Sequence, residues 1–190
     1  MKAFQLPHVE RCYVRTGPDA RQLDFMVLGP PRSGTAWASN WLTSGKALCV
    51  HEPLMRLHYT EWDQRLGRRD RMTGVACTGI ARFPHFLRTH PARKLILHRP
   101  RAEVNESLAA LGLPPLDSAY DHLGEIEGLH VPWGDLFDNP EPIYRYLLKQ
   151  PMDWERHDLL CRLNVQADFE KLAPNPKVTQ RLLRQMAGAA

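Results

Sequence analysis

The chain has no cysteine pattern that would hold a metal or staple a small fold. Its four cysteines, Cys12, Cys49, Cys77 and Cys161, are widely spaced and form no C-x-x-C pair. A zinc site or disulfide framework is therefore disfavoured, and reduced, mostly buried thiols are expected. Hydrophobic runs are also short, and none approaches the roughly 18 uninterrupted apolar residues of a spanning helix. The opening Met1-Lys2-Ala3-Phe4-Gln5-Leu6-Pro7-His8 lacks an apolar stretch before a small-residue cleavage site, which argues against a secretory leader. The expectation is a cytoplasmic chain with no membrane association. No internal repeat, low-complexity tract or Gly/Ser linker divides it, so a single domain is expected over residues 1–190.

What is present is globular in composition. Hydrophobic residues make up 43% and charged residues 24%, enough to bury about 70% of the surface that the unfolded chain exposes. A formal charge of +4 weakly favours anionic partners. Most of the basic residues are arginines. Guanidinium suits bidentate binding of phosphate or sulfate, although genome composition produces the same bias. The densest basic run, Arg65-Leu66-Gly67-Arg68-Arg69-Asp70-Arg71, has no interleaved aromatics. It reads as a solvated loop rather than a nucleic-acid patch.

Short apolar runs alternate with helical segments. Asp24-Phe25-Met26-Val27-Leu28, Ala47-Leu48-Cys49-Val50, Gly74-Val75-Ala76-Cys77, Lys94-Leu95-Ile96-Leu97-His98 and Leu129-His130-Val131 read as five strands. Helical spacing is predicted over residues 36–42, 101–111, 142–148, 154–163 and 178–186. Apolar runs rather than polar–apolar alternation suit strands covered on both faces. The expectation is a three-layer α/β domain, with a parallel sheet of about five strands flanked by helices and a helical C-terminal end. The first two strands are expected to be neighbours.

The junction after the first strand carries the chemistry. Gly29-Pro30-Pro31-Arg32-Ser33-Gly34-Thr35 lies between a strand and a helix, a context that turns a Gly-rich loop into an anion site. A nucleoside-triphosphate loop would read G-x-x-x-x-G-K-[ST]. Thr35 stands in the lysine position and Ala36 in that of the magnesium-binding hydroxyl. A metal-dependent ATP or GTP hydrolase or kinase is disfavoured on that chemistry. The cation instead comes two places before the second glycine, at Arg32.

The string Pro31-Arg32-Ser33-Gly34-Thr35-Ala36-Trp37 resembles the P-[KR]-S-G-T-T-W loop of the sulfotransferases. In that family the loop binds 3′-phosphoadenosine 5′-phosphosulfate (PAPS). Arg99-Pro100-Arg101-Ala102-Glu103-Val104-Asn105-Glu106-Ser107 is similar to the family's R-x-P-x-x-x-x-x-S segment, in which Arg and Ser hold the 3′-phosphate. Here the proline follows the arginine directly. Trp133-Gly134-Asp135-Leu136-Phe137-Asp138-Asn139-Pro140 resembles the architectural Y-E-D-L-x-x-x-P segment. These matches span about residues 24–148. The late R-K-G-x-x-G segment that closes over the nucleotide in cytosolic members has no counterpart in residues 153–190.

The resemblance implies a P-loop sulfotransferase-like fold and a metal-free site for PAPS or its product, adenosine 3′,5′-bisphosphate. Arg32, Ser33, Gly34, Thr35, Ala36, Trp37, Arg99 and Ser107 would bind the nucleotide. Arg32 would also neutralise charge on the leaving phosphate. His51-Glu52-Pro53-Leu54 resembles the Y-E-P-L segment of carbohydrate sulfotransferases, making Glu52 the candidate general base and His51 a second catalytic candidate. A salt bridge or a helix-start charge would explain Glu52 equally well. His98, ending the fourth strand, stays a further candidate. His90 of Thr89-His90-Pro91 is set aside because it precedes that strand. Trp133 and Trp154 are expected to be packing residues. The implied activity is sulfuryl transfer to a small-molecule or carbohydrate-like hydroxyl or amine, with no nucleic-acid partner. The alternative is a nucleotide-binding module of the same fold without transferase activity. Neither the acceptor nor the oligomeric state can be read from the sequence.

Overall fold

A computed structural model describes residues 22–163. It has an α/β architecture, with a five-stranded, all-parallel sheet flanked by helices. The strands are β1 (Phe25–Leu28), β2 (Ala47–His51), β3 (Met72–Ala76), β4 (Arg93–His98) and β5 (Leu129–Pro132). All five coincide with the apolar runs of the sequence. The helices are α1 (Thr35–Trp41), α2 (Trp62–Leu66), α3 (Pro84–Thr89), α4 (Arg101–Ala109), α5 (Asp135–Asp138), α6 (Pro140–Leu148) and α7 (Trp154–Arg162). The segment 178–186, predicted helical, lies outside the described residues.

Burial on both faces explains why the strands read as runs. Phe25 and Val27 point to one side with Trp37, Trp41, Leu97 and Leu147. Met26 and Leu28 point to the other with Trp62, Ile80, Leu87 and Ile96. Each such large apolar side chain, fully buried, contributes about 1.5–3 kcal/mol. The first face is covered by α1, α5, α6 and α7, and the second by α2, α3 and two 3₁₀ turns, Gly79–Arg82 and Ser118–Glu125.

The strand order is β2-β3-β1-β4-β5. The expected adjacency of the first two strands is therefore corrected, because β3 lies between them. It pairs Gly74 with Phe25 on one side and with Cys49 on the other. From β1 the chain leaves toward β2, whereas from β4 it leaves toward β5, so the connections diverge between β1 and β4. In open parallel sheets that divergence opens a crevice at the carboxyl ends of the strands. The Gly29–Gly34 loop and Arg99 are placed there by topology alone.

Other expectations fare unevenly. The basic run 65–71 is a solvated loop only in part: Arg65 and Leu66 end α2, Leu66 and Gly67 are buried, and Arg69 and Asp70 are exposed, Asp70 pairing with Arg68. Cys49 and Cys77 are buried free thiols, Cys161 is a free thiol but exposed, and Cys12 lies outside the described residues. Trp154 is not a packing residue, since it is 52% exposed at the start of α7 and touches the His157 ring edge-on. Among the described residues, no helix is long and apolar enough to cross a membrane.

Candidate functional site

The loop after β1 is held tightly against β4. A Cβ on Gly29 would come within 2.5 Å of the Ser33 hydroxyl and 3.1 Å of the Leu97 carbonyl oxygen, so glycine is required there. The Ser33 hydroxyl donates to the Pro30 carbonyl at 2.6 Å, and the Ser33 N–H reaches the same oxygen. Two left-handed residues, Arg32 (φ 66°) and Gly34 (φ 91°), fold the loop back into α1. Gly34 adopts this conformation without steric penalty, whereas for Arg32 it is strained. No side chain caps α1, and no acidic residue occupies its first turn.

Three residues from distant parts of the sequence meet at this loop. Arg32 Nε donates to Ser107 Oγ at 2.9 Å, tying the loop to the last turn of α4. Arg99 donates from a terminal guanidinium nitrogen to the Arg32 carbonyl oxygen. Its Nε donates to Glu103 at 3.1 Å, and its guanidinium carbon lies 4.5 Å from the centre of the Trp133 ring. Arg99 and Ser107, expected to grip one phosphate together, each contact Arg32 rather than one another. The Arg99 guanidinium thus sits on the Arg32 backbone, near enough for its charge to act on the Arg32 side chain. Burial, and then the charge of Arg99, push the Arg32 pKa below its ordinary value. Glu103 pairs with Arg99, but among the described residues no carboxylate pairs with Arg32.

The other loop residues divide by direction. Thr35 and Trp37 are buried and Ala36 is half-buried. Trp37 turns away from the loop into the core, where its Nε1 donates to the Leu160 carbonyl at 3.3 Å and its ring packs on Phe137 at 4.8 Å. Trp133, which stacks on Arg99, meets Phe137 edge-on. An aromatic file therefore connects Arg99 to the core beneath α1.

The carboxyl ends of β2 and β3 carry Glu52 and its partners. Glu52 is left-handed (φ 46°) and its side chain returns toward β3. Oε1 accepts from the Thr78 N–H at 2.8 Å, and Oε2 accepts from the Cys77 thiol at 3.2 Å. Burial raises the Cys77 pKa well above the ordinary value, and Glu52 raises it further, so the thiol stays a donor. The carboxylate fastens the turn after β2 onto the end of β3. His51 is exposed, with Nε2 3.9 Å from Glu52 Oε1. Burial lowers its pKa, and the neighbouring carboxylate opposes that shift. His90 lies before β4, where it is buried against Asp63 at 3.0 Å, far along the strand from the rim.

One cluster was not visible in the sequence. His98, ending β4, lies 2.8 Å from His130 of β5 by Nε2···Nδ1, and the rings are nearly parallel, 20° apart. His130 Nε2 in turn lies 2.8 Å from the Ile126 carbonyl oxygen. Burial, and then His130, lower the His98 pKa. Finding this pair requires knowing that β4 and β5 are adjacent in a register that sets Ile96 against His130, and no local pattern encodes that. No group of three or more His, Cys, Asp or Glu side chains able to hold a metal ion occurs among the described residues. No family model, curated protein or solved structure matches the chain.

Proposed function

We propose that this chain is a P-loop sulfotransferase-like domain that binds PAPS without a metal and transfers its sulfuryl group to a hydroxyl or amine acceptor. One observation carries the reading. At the point where the sheet's connections diverge, Arg32 is held beside Arg99 by a shared contact and by Ser107, and among the described residues no carboxylate balances it. Arg99 is balanced by Glu103 but Arg32 has no such partner among the described residues, so an anion bound at Arg32 would supply the missing counter-charge while forming charge-assisted hydrogen bonds. The three sequence segments that resemble sulfotransferase motifs are the ones gathered there or beside it: the Arg32 loop, Arg99 with Ser107, and Trp133 under Arg99.

In this reading Arg32 binds the phosphosulfate and neutralises the leaving phosphate, and Arg99 and Ser107 hold the 3′-phosphate. The backbone of Gly34, Thr35, Ala36 and Trp37 lines the loop, because the Ser33 hydroxyl and the Trp37 ring are turned inward. Electrostatic stabilisation of this kind needs no metal. The proton acceptor is drawn from the same rim, which carries Glu52, His51 and His98. The acceptor substrate is a small molecule or carbohydrate-like compound, and the protein acts in the cytoplasm without a nucleic-acid partner.

The test is a thermal-shift comparison of adenosine 3′,5′-bisphosphate, AMP and ATP, with and without magnesium. The bisphosphate should stabilise the protein most and without metal, by roughly 2.7 kcal/mol at about 100 times its dissociation constant. Equal shifts for bisphosphate and AMP, or a magnesium requirement, would defeat the proposal. A second reading, a nucleotide-binding module without transfer, is favoured by one observation: both Glu52 oxygens already accept hydrogen bonds. Bisphosphate binding without turnover of any acceptor would select it.

A further inference from the structure

The hydrogen bonds around His98 and His130 fix where each proton sits. A carbonyl oxygen can only accept, so the 2.8 Å contact to Ile126 puts a proton on His130 Nε2. In the neutral ring this leaves His130 Nδ1 as an acceptor. The 2.8 Å contact between the rings then puts the His98 proton on Nε2. His98 Nδ1 is left with a lone pair, on an exposed side chain at the carboxyl end of β4. Tautomers set by a chain of hydrogen bonds in this way distinguish a poised imidazole from one free to flip.

The position is equally specific. His98 immediately precedes Arg99, which contacts the Arg32 loop. His98 and His130 lie on the same sheet face as Ile96, and the Cys77 thiol that holds Glu52 belongs to that face as well. Arg99 turns the other way, onto Trp133. The anion-binding groups and the imidazole thus flank one strand end from opposite sides.

Within the sulfuryl-transfer reading, on which this inference rests, we infer that His98 is the proton acceptor for the attacking hydroxyl or amine and that His130 is its positioning residue. The acceptor's O–H or N–H proton passes to His98 Nδ1 as the acceptor's lone pair forms the new bond to sulfur. The bond from sulfur to the bridging phosphate oxygen breaks, and its electron pair stays on the 5′-phosphate, where Arg32 neutralises it. The products are the sulfated acceptor, adenosine 3′,5′-bisphosphate and a His98 imidazolium that releases its proton to solvent. The titratable group that bears on the imidazolium is His130 from β5. Burial and His130 hold His98 neutral near pH 7, as a base must be before the step.

Long-range proton–nitrogen correlation spectra of the full chain at about pH 7.5 read the tautomers without any turnover. Both rings should carry the proton on Nε2, and a His98 protonated on Nδ1 overturns the inference. Turnover is then read as bisphosphate release from PAPS, with phenol, glucose and ethanolamine as acceptors. His98→Gln should lose roughly 100-fold or more in kcat/KM while melting temperature and bisphosphate affinity stay unchanged. Full activity in that variant overturns the inference. His130→Asn should keep most of the rate, since its Oδ1 can accept from His98 Nε2, whereas His130→Phe should not. Equal rates in the two would reduce His130 to packing and overturn its positioning role. Absence of bisphosphate binding in the wild type defeats the sulfuryl-transfer reading itself. Binding without turnover of all three acceptors leaves the nucleotide site standing and overturns the base.

Discussion

Arg32 combines a left-handed backbone, a half-buried side chain and a like-charged neighbour. Each is individually unfavourable, and strained residues of this kind cost on the order of 1–3 kcal/mol. They persist here because Ser107 and Arg99 hold both the side chain and the carbonyl. Arg99 therefore has two separable duties, one toward the loop and one proposed toward the 3′-phosphate. If the second dominates, Arg99→Ala should weaken bisphosphate binding by about 1.5–3 kcal/mol and leave AMP binding nearly untouched, as titration calorimetry would show. An equal loss for both nucleotides would mean that Arg99 serves only to hold the Arg32 carbonyl. Arg32, Arg99 and Ser107 were legible in the sequence because loop and helix motifs are local. His130 and the stacking of Trp133 on Arg99 were not, since each depends on which strands and turns become neighbours.

Among the elements, the strands were the most readable. Each is a short apolar run closed by a polar or Gly/Pro signal, because both faces of the sheet are covered. The order β2-β3-β1-β4-β5 has no such local signature, and reading the first two strands as neighbours failed for that reason. The short helices α2 and α3 also escaped notice, their five and six residues being too few to establish a period. The turn from β1 into α1 is the element most sensitive to substitution. Gly34 has φ 91°, and a Cβ there would lie 3.2 Å from a Leu136 methyl. Gly34→Ala should destabilise the fold by about 1–2 kcal/mol, measured as a lower urea midpoint at unchanged slope. An unchanged midpoint would show that the loop relaxes to a right-handed conformation.

For the molecule as a whole, partial desolvation of two rim histidines sets a direction for stability against pH. His98 and His51, though exposed in part, both have pKa values lowered in the fold, chiefly because neighbouring atoms strip some of their water. In the unfolded chain they titrate near ~6.5. Below that pH the unfolded state binds more protons than the native state, so stability rises with pH in this window. Their contribution is complete above about pH 6.5 and is lost as pH falls from there through the lowered native values. Urea midpoints should therefore decrease between about pH 7.5 and about pH 5.5, and less steeply in His98→Gln. A midpoint that is flat or rises toward acid would show that neither ring is desolvated.

The central position of β1 also has a kinetic consequence. Phe25 pairs with Gly74 on one side and with Arg93 on the other, so the first strand of the described sheet has no neighbour until the third and fourth have been made. Contacts so distant in sequence must overcome the entropy of closing long loops before they gain any pairing energy, which slows folding. The nascent chain carries the Arg32 loop early but cannot shape it until β4 has been made and α4 has brought Ser107 into place. An anion therefore has no assembled site to bind until Ser107, 75 residues beyond Arg32, has been made and brought back to the loop.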